Sequence, residues 1–596
     1  MTSALLTEWS RLLLGTLARS GVEHVVLSPG SRSTPFAWAA LQEPKLHCHS
    51  IWDERVAAFF ALGQARLSGH PSLLLCTSGT APANYFPAVI EASLARVPLL
   101  VLTADRPFEL QHSAAPQTID QIKLFGDAVR AFFELGLPDP ADSALSGIVR
   151  NVAHAVHLAR FPDPGPVHLN ARARKPLEPS NAADPAALAL RAAVDGLLAR
   201  GPALTKGAAL HADLTRASQA IRDTARGLIV VGPQDAHDRA AAAQIARLGA
   251  VTGFPVLCEG TSQLRFAADS PADTLRIDGF EWLLQSERLR ERLRPDLVLS
   301  FGAPPTSGAF ERFLSREFAG RRFVVAAHGV PDPHALASEI ISASAARTAH
   351  DLCAALEHQP LRDAVERAAF RAHWADANRA AWQAVDRELA RSSEHLSEAV
   401  AVRTVLDHMP DPCTLVIGNS LPIREVDAYV PCSARRIRVL SQRGANGIDG
   451  LISGAAGAAS LSSEPTVLLL GDVSFMHDVG GLAAARESRG PFVIVIIDNG
   501  GGRIFEQLPI FSELARAPKL ARFWLTPPVA DLSHAAALFG QHFERISAAS
   551  EIGPALQRAA SHTATTVLQI VVEASSSRAS ERRVRADLER AAGPLP

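Results

Sequence analysis

Short apolar, β-branched runs that end in glycine or polar residues recur along this chain, which is what strands buried on both faces of a parallel sheet require. Residues 465–470 and 492–497 are the clearest of them. Others lie at 25–27, 73–76 and 99–102, then at 228–231, 255–258, 297–299 and 323–325. The stretches between them are long enough for helices, so the chain is expected to be α/β, built from three doubly wound parallel-sheet domains.

At 596 residues the chain exceeds what one core organises, and with 47% hydrophobic residues it has material for several. Shifts in composition predict an α/β domain over 1–180, a linker with surface helices over 181–205 and a central α/β domain over 206–350. A helical connection over 351–398 then leads to a last α/β domain over 399–596. The N-terminal leucines Leu5, Leu6, Leu12, Leu13 and Leu17, with Trp9, recur at helical spacing around Glu8 and Arg11. They predict an amphipathic helix rather than a targeting segment.

The 59 basic and 61 acidic side chains leave a net charge of −2, which excludes the broad basic surface of a nucleic-acid binder. Arg578, Arg582, Arg583 and Arg585 near the C-terminus are interleaved with acids and predict a solvated helix. No apolar run is long enough to cross a bilayer, so no membrane contact is expected. The six cysteines are widely separated, with no Cys-x-x-Cys pair, and suit buried thiols in a reducing compartment. A cytoplasmic location is expected.

The chemistry-bearing pattern is Gly471-Asp472-Val473-Ser474 after one strand and Asn499, twenty-seven positions beyond Asp472, after the next. Magnesium takes one or two protein side chains with phosphate and water, so Asp472, Asn499 and the Gly501 carbonyl form a plausible ligand set. Gly471 and the glycines at 500–502 let a phosphate approach the backbone. The plainer reading of Asp472 is a helix cap at a strand-end turn. The chain has no Gly-x-x-x-x-Gly-Lys loop, His-Glu-x-x-His or Gly-x-Ser-x-Gly, and its central domain follows its first strand with Gly232-Pro233-Gln234 instead of Gly-x-Gly-x-x-Gly.

A strand-end Gly-Asp with a downstream Asn resembles the signature of thiamine diphosphate enzymes. Trp52-Asp53-Glu54-Arg55 supplies the upstream glutamate which that family requires. Ser28-Pro29-Gly30-Ser31-Arg32-Ser33, Thr77-Ser78-Gly79-Thr80, Thr103-Ala104-Asp105-Arg106-Pro107, Gly418-Asn419-Ser420 with Arg424, and Arg443-Gly444-Ala445-Asn446-Gly447-Ile448 narrow the resemblance. They are similar to the menaquinone-pathway synthases within it.

The resemblance implies three domains of the thiamine diphosphate-enzyme type, with thiamine diphosphate and Mg2+ (or Mn2+) as cofactors. Glu54 would hydrogen-bond the aminopyrimidine, Ile448 would force the cofactor to bend, and Thr80, Ser420, Gly471, Asp472, Val473, Ser474 and Asn499 would complete its site. It also implies decarboxylation of 2-oxoglutarate and 1,4-addition of the succinyl carbanion to isochorismate, giving 2-succinyl-5-enolpyruvyl-6-hydroxy-3-cyclohexene-1-carboxylate and CO2. Arg32, Arg106, Arg424 and Arg443, with Ser31, Gln117 and Ser420, would hold the substrate carboxylates, a task that suits planar guanidinium groups. A homodimer or homotetramer with active sites at the subunit interface is implied. The rival readings are an acetolactate synthase-like carboligase or another 2-oxoacid decarboxylase, and a non-catalytic nucleotide-binding α/β protein.

Where the family carries a lysine in its middle domain, this chain has Gly308, with Arg312 and Arg316 the nearest basic residues in sequence. His47, Cys48 and His49 alternate in direction along a strand and predict packing rather than a metal site. His477 is expected to be structural.

Overall fold

Within the computed structural model, residues 3–201, 212–318, 320–357, 360–391, 396–574 and 576–591 are described. Residues 202–205 of the predicted linker, 206–211 of the predicted central domain and 358–359 and 392–395 of the helical connection lie outside them, as does the side chain of Arg316. The described residues form three six-stranded sheets. The first holds β1 (His24–Leu27), β2 (His47–Ser50), β3 (Ser72–Cys76), β4 (Leu99–Asp105), β5 (Ala131–Gly136) and β6 (Pro166–Arg172), ordered β2-β1-β3-β4-β6-β5. The second holds β7 (Gly227–Val231), β8 (Val256–Cys258), β9 (Arg276–Ile277), β10 (Leu297–Phe301), β11 (Arg321–Ala326) and β12 (Glu339–Ser342), ordered β12-β11-β10-β7-β8-β9. The third holds β13 (Cys413–Ile417), β14 (Ile437–Ser441), β15 (Thr466–Gly471), β16 (Phe492–Asp498), β17 (His542–Ile546) and β18 (Thr566–Val571), ordered β14-β13-β15-β16-β18-β17.

Every pairing is parallel, as the apolar runs require. The first and third sheets repeat one strand order, each reversing direction after its first strand. In open parallel sheets a ligand crevice forms outside the strand C-termini at such a reversal. The crevices therefore lie at the ends of β1 and β3 in the first sheet, and of β13 and β15 in the third.

Two compact units emerge. One joins the first sheet to residues 442–463 and 477–490, although β15 and β16, which flank the latter segment, belong to the other unit. Its core gathers Trp9, Leu12, Leu13 and Leu17 of the helix Ser3–Arg19 with Phe36, Leu75, Leu100 and Leu169. Here too the helix Leu451–Ala459 lies directly on the helix Glu54–Ser68. A side chain on Gly63 would overlap the Gly454 carbonyl, and one on Gly457 would overlap that of Phe60. The small residues of 454–459 thus allow close helix packing. His47 lies exposed on the edge strand β2 with its ring 5.4 Å from that of His24, the half-buried His49 packs 5.2 Å from the Phe60 ring, and Cys48 points the other way, toward the core. Being at a sheet edge, β2 has a neighbour on only one side.

The other unit contains the second and third sheets. At the second sheet's reversal, between β7 and β10, the crevice is filled by the chain itself: Gln234 Nε2 donates to the Phe301 carbonyl at 3.0 Å, and a side chain on Gly232 would overlap the Ala303 carbonyl. The helix Ser576–Ala591 buries Val584 and Leu588 in a shared core with Phe370 and Trp374, so it is docked rather than merely solvated. Arg583 pairs there with the buried Glu388 at 2.7 Å.

Candidate active site

The third sheet's register sets Gly471 beside Ile497, so the residues that follow, Asp472 and Asp498, leave adjacent strands together. Asp472 opens the helix Asp472–His477, and its Oδ1 accepts from its neighbour Val473 N at 2.8 Å. Its Oδ2 is buried with no hydrogen-bond partner. Asn499 Oδ1 is likewise buried and unpartnered. Two orphaned oxygens at one strand-end crevice are costly unless a ligand satisfies them.

Burial, then the Asp498 carboxyl, pushes the Asp472 pKa up to about 7, against hydrogen bonds from the Val473 and Gly501 amides. A divalent cation would offset both causes and restore the carboxylate. A Cβ built on Gly471 meets nothing nearer than the Ile497 carbonyl oxygen at 4.0 Å, so space remains open above the strand end. Gly500 and Gly501 have φ of 75° and 130°, which favours glycine, and the Gly501 carbonyl accepts from Arg503 N at 2.8 Å. One lone pair of that oxygen is therefore already engaged. An oxygen-ligand cation and a phosphate fit this donor set and this space.

Ser474 is buried beside Asp472 in the same helix. Ser420, at the end of β13, has a φ of 75° without being glycine, backbone strain of the kind that functional sites hold. Its carbonyl accepts from Arg424 Nη1 at 2.6 Å, and burial lowers the Arg424 pKa.

In the unit of the first sheet, Glu54 is the first residue of the helix Glu54–Ser68, behind an Asp53 cap that accepts from Arg55 N at 2.9 Å and Val56 N at 3.2 Å. Burial raises the Glu54 pKa. Ser31 and Arg32 follow β1, Thr80 follows β3 and Arg106 follows β4. Arg32 is buried, donates to the Ala173 carbonyl at 2.6 Å and keeps its Nε unpartnered. Burial and then the charge of Arg106 lower its pKa, so two guanidinium groups face one region. Gln117 is exposed, and its carbonyl accepts from Ser78 Oγ at 3.0 Å. Ser31 and Thr80 are exposed as well.

Arg443 and Ile448, both half-buried, belong to this unit through a loop pinned at each end. The amides of Gly444 and Ala445 donate to Glu91 at 2.9 and 2.6 Å, and Gly450 sits against the Phe59 ring. Glu91, held by Arg66 at 2.9 Å, carried no sequence signal because its partners are distant in the chain.

Glu398 and Glu425 were also invisible in sequence. Glu398, buried at the start of the helix Glu398–Asp407, accepts from Asn499 Nδ2. Glu425 adjoins it without a donor for either oxygen, and burial followed by the Glu398 charge raises its pKa well above the ordinary range. At Gly308 the position of the absent side chain is met only by Arg312 Nη1, at 3.8 Å. His477 is exposed, and its carbonyl accepts from Arg55 Nη2 at 3.4 Å.

Residues 7–124 match the family model described as thiamine pyrophosphate enzyme, N-terminal TPP binding domain, and residues 429–570 match the corresponding C-terminal TPP binding domain. A protein of Sorangium cellulosum named 2-succinyl-5-enolpyruvyl-6-hydroxy-3-cyclohexene-1-carboxylate synthase is 42% identical over 99% of this chain and 96% of its own. The chain belongs to this synthase family of thiamine diphosphate enzymes. Relatives with the same name from Halorubrum lacusprofundi and Myxococcus xanthus are 37% and 39% identical, over 98% and 90% of this chain and of their own. The protein is thus an enzyme that forms carbon–carbon bonds, and thiamine diphosphate is its cofactor. Among the described residues no helix is long and apolar enough to cross a membrane.

Proposed function

We propose that this synthase decarboxylates 2-oxoglutarate and adds the resulting succinyl unit to isochorismate by 1,4-addition, giving 2-succinyl-5-enolpyruvyl-6-hydroxy-3-cyclohexene-1-carboxylate and CO2. The supporting observation is the pair of buried, unpartnered oxygens of Asp472 and Asn499 beyond the paired ends of β15 and β16, in a chain of this family. Asp472 and Asn499, with the remaining lone pair of the Gly501 carbonyl, would hold Mg2+ or Mn2+. Gly471, Val473 and Ser474 would lie along the diphosphate, and Thr80, Ser420 and Ile448 along the rest of the cofactor. Bound there, thiamine diphosphate would supply the electron sink for loss of CO2 and for bond formation.

The chain's own residues do the remaining work. Glu54, which burial disposes to keep a proton, would hydrogen-bond the aminopyrimidine ring. Arg32 and Arg106, with Arg424 and Arg443, would neutralise the carboxylates that both substrates carry, and Ser31, Gln117 and Ser420 would orient them. Arg312 would supply positive charge where Gly308 has no side chain. A homo-oligomer would complete the site, with Glu54 of one copy serving the Asp472 cluster of another.

The test is consumption of isochorismate by purified protein with magnesium and thiamine diphosphate. It is expected only when 2-oxoglutarate is present. Turnover with pyruvate but not with 2-oxoglutarate would overturn the substrate assignment.

A further inference from the structure

An asparagine that serves as a metal ligand has to present oxygen, not nitrogen, to the cation. The two ends of its amide are nearly identical in shape, so packing alone hardly distinguishes them. Something with a defined hydrogen-bonding sense has to make the choice. At Asn499 that something is a carboxylate, because Glu398 Oε1 accepts from Asn499 Nδ2 and Oδ1 is left buried and unpartnered.

We infer that Glu398 is a positioning residue for the metal site, which fixes the Asn499 amide with its oxygen toward the cation by accepting only from its nitrogen. The inference rests on the metal-site reading given above.

The surroundings keep Glu398 itself in place. It is the first residue of the helix Glu398–Asp407, whose cap Ser397 accepts from Val400 N at 3.3 Å, and the amides of a helix start favour a carboxylate. Its neighbours include the Ser577 hydroxyl, the Arg503 guanidinium and the Glu425 carboxyl. Arg503 in turn donates from Nε to the Asn499 carbonyl at 3.1 Å, tying the backbone of the same residue. Both the side chain and the main chain of Asn499 are therefore tied by hydrogen bonds. Glu398 lies about a hundred positions before Asn499 and touches neither the Gly-Asp segment nor a substrate arginine in sequence, which is why no motif contains it.

A reciprocal exchange tests the inference, with Mn2+ binding followed by electron paramagnetic resonance in the presence of thiamine diphosphate. In Glu398→Gln the amide at position 398 both donates and accepts, so Asn499 is no longer forced to turn its oxygen outward. Mn2+ affinity is expected to fall about tenfold or more, the usual scale for a lost outer partner of a metal ligand. In Asn499→Asp two carboxylates meet, and affinity is expected to fall similarly. In the double variant the amide introduced at position 398 donates to the carboxylate introduced at position 499, whose other oxygen faces the cation again. Affinity is then expected to recover most of the loss.

Parental affinity in Glu398→Gln, or a double variant that binds no better than Asn499→Asp, would overturn the inference. If Glu398→Gln does not fold, the comparison of the double variant with Asn499→Asp still decides. Parent protein that binds no Mn2+ would overturn the metal-site reading itself. Parental binding that survives in Glu398→Gln would overturn only the role of Glu398.

Discussion

The carboxyl of Asp472 lies against that of Asp498 where β15 and β16 end, and both leave the sheet on the same side because the strands pair in register. A buried acid in contact with a half-buried one disfavours charge, and the fold accepts that cost where the proposed cation site lies. Without metal, Asp472 holds a proton up to about pH 7, whereas its ordinary value is 3.8. Its folded pKa is raised, so its contribution to stability is complete below the unfolded value and is lost as pH rises through the folded one. Metal-free protein should therefore lose stability between about pH 4 and about pH 7 from this group. Asp472→Asn should flatten that part of the profile and raise the metal-free melting temperature above pH 7. It should also abolish the rise that magnesium and thiamine diphosphate give the parent. Thermal melts across pH, with and without cofactor, check both.

Glu54→Gln keeps the shape of the side chain but removes its acid. Turnover should fall by on the order of a hundredfold or more, the scale of a lost proton-transfer partner. Near-parental rates in a steady-state assay would mean that another group performs this task.

In the proposed site Arg106 and Arg443 serve the substrate carboxylates, not the metal or the diphosphate. Arg106→Ala and Arg443→Ala should raise KM or lower kcat/KM while the cofactor-induced rise in melting temperature survives. Loss of that rise in either variant would contradict the assignment.

Arg312 Nη1 lies 3.8 Å from where a side chain on Gly308 would begin. Arg312→Ala should weaken use of one of the two substrates, seen as a higher KM for that substrate, with thermal stability nearly unchanged because the side chain is exposed.

The contact between the helices Glu54–Ser68 and Leu451–Ala459 has no room for side chains. Gly457→Val would drive carbon into the Phe60 carbonyl and should cost about 1–3 kcal/mol, the range for overpacking. The shift should appear as a lower melting temperature in the presence and absence of cofactor alike.

The parallel sheets were legible because strands buried on both faces must be continuously apolar, and that pattern is local. Asp472, Asn499 and Glu54 were legible for a related reason: strand ends and helix starts carry glycine and polar residues in fixed order. Sequence could not show that 442–463 and 477–490 leave their neighbours to pack with the first sheet, since backbone-to-backbone packing at Gly63, Gly454 and Gly457 depends on which helices meet. Nor could it show Glu91 beneath the Gly444 loop or Glu398 beside Asn499, because a lone glutamate in a helix has no signature until its partner arrives. Local pattern thus determined the elements and the strand-end and helix-start groups proposed to meet the cofactor. Tertiary structure decided which of their atoms are left without partners, because hydrogen bonding and burial are settled only when distant segments pack together.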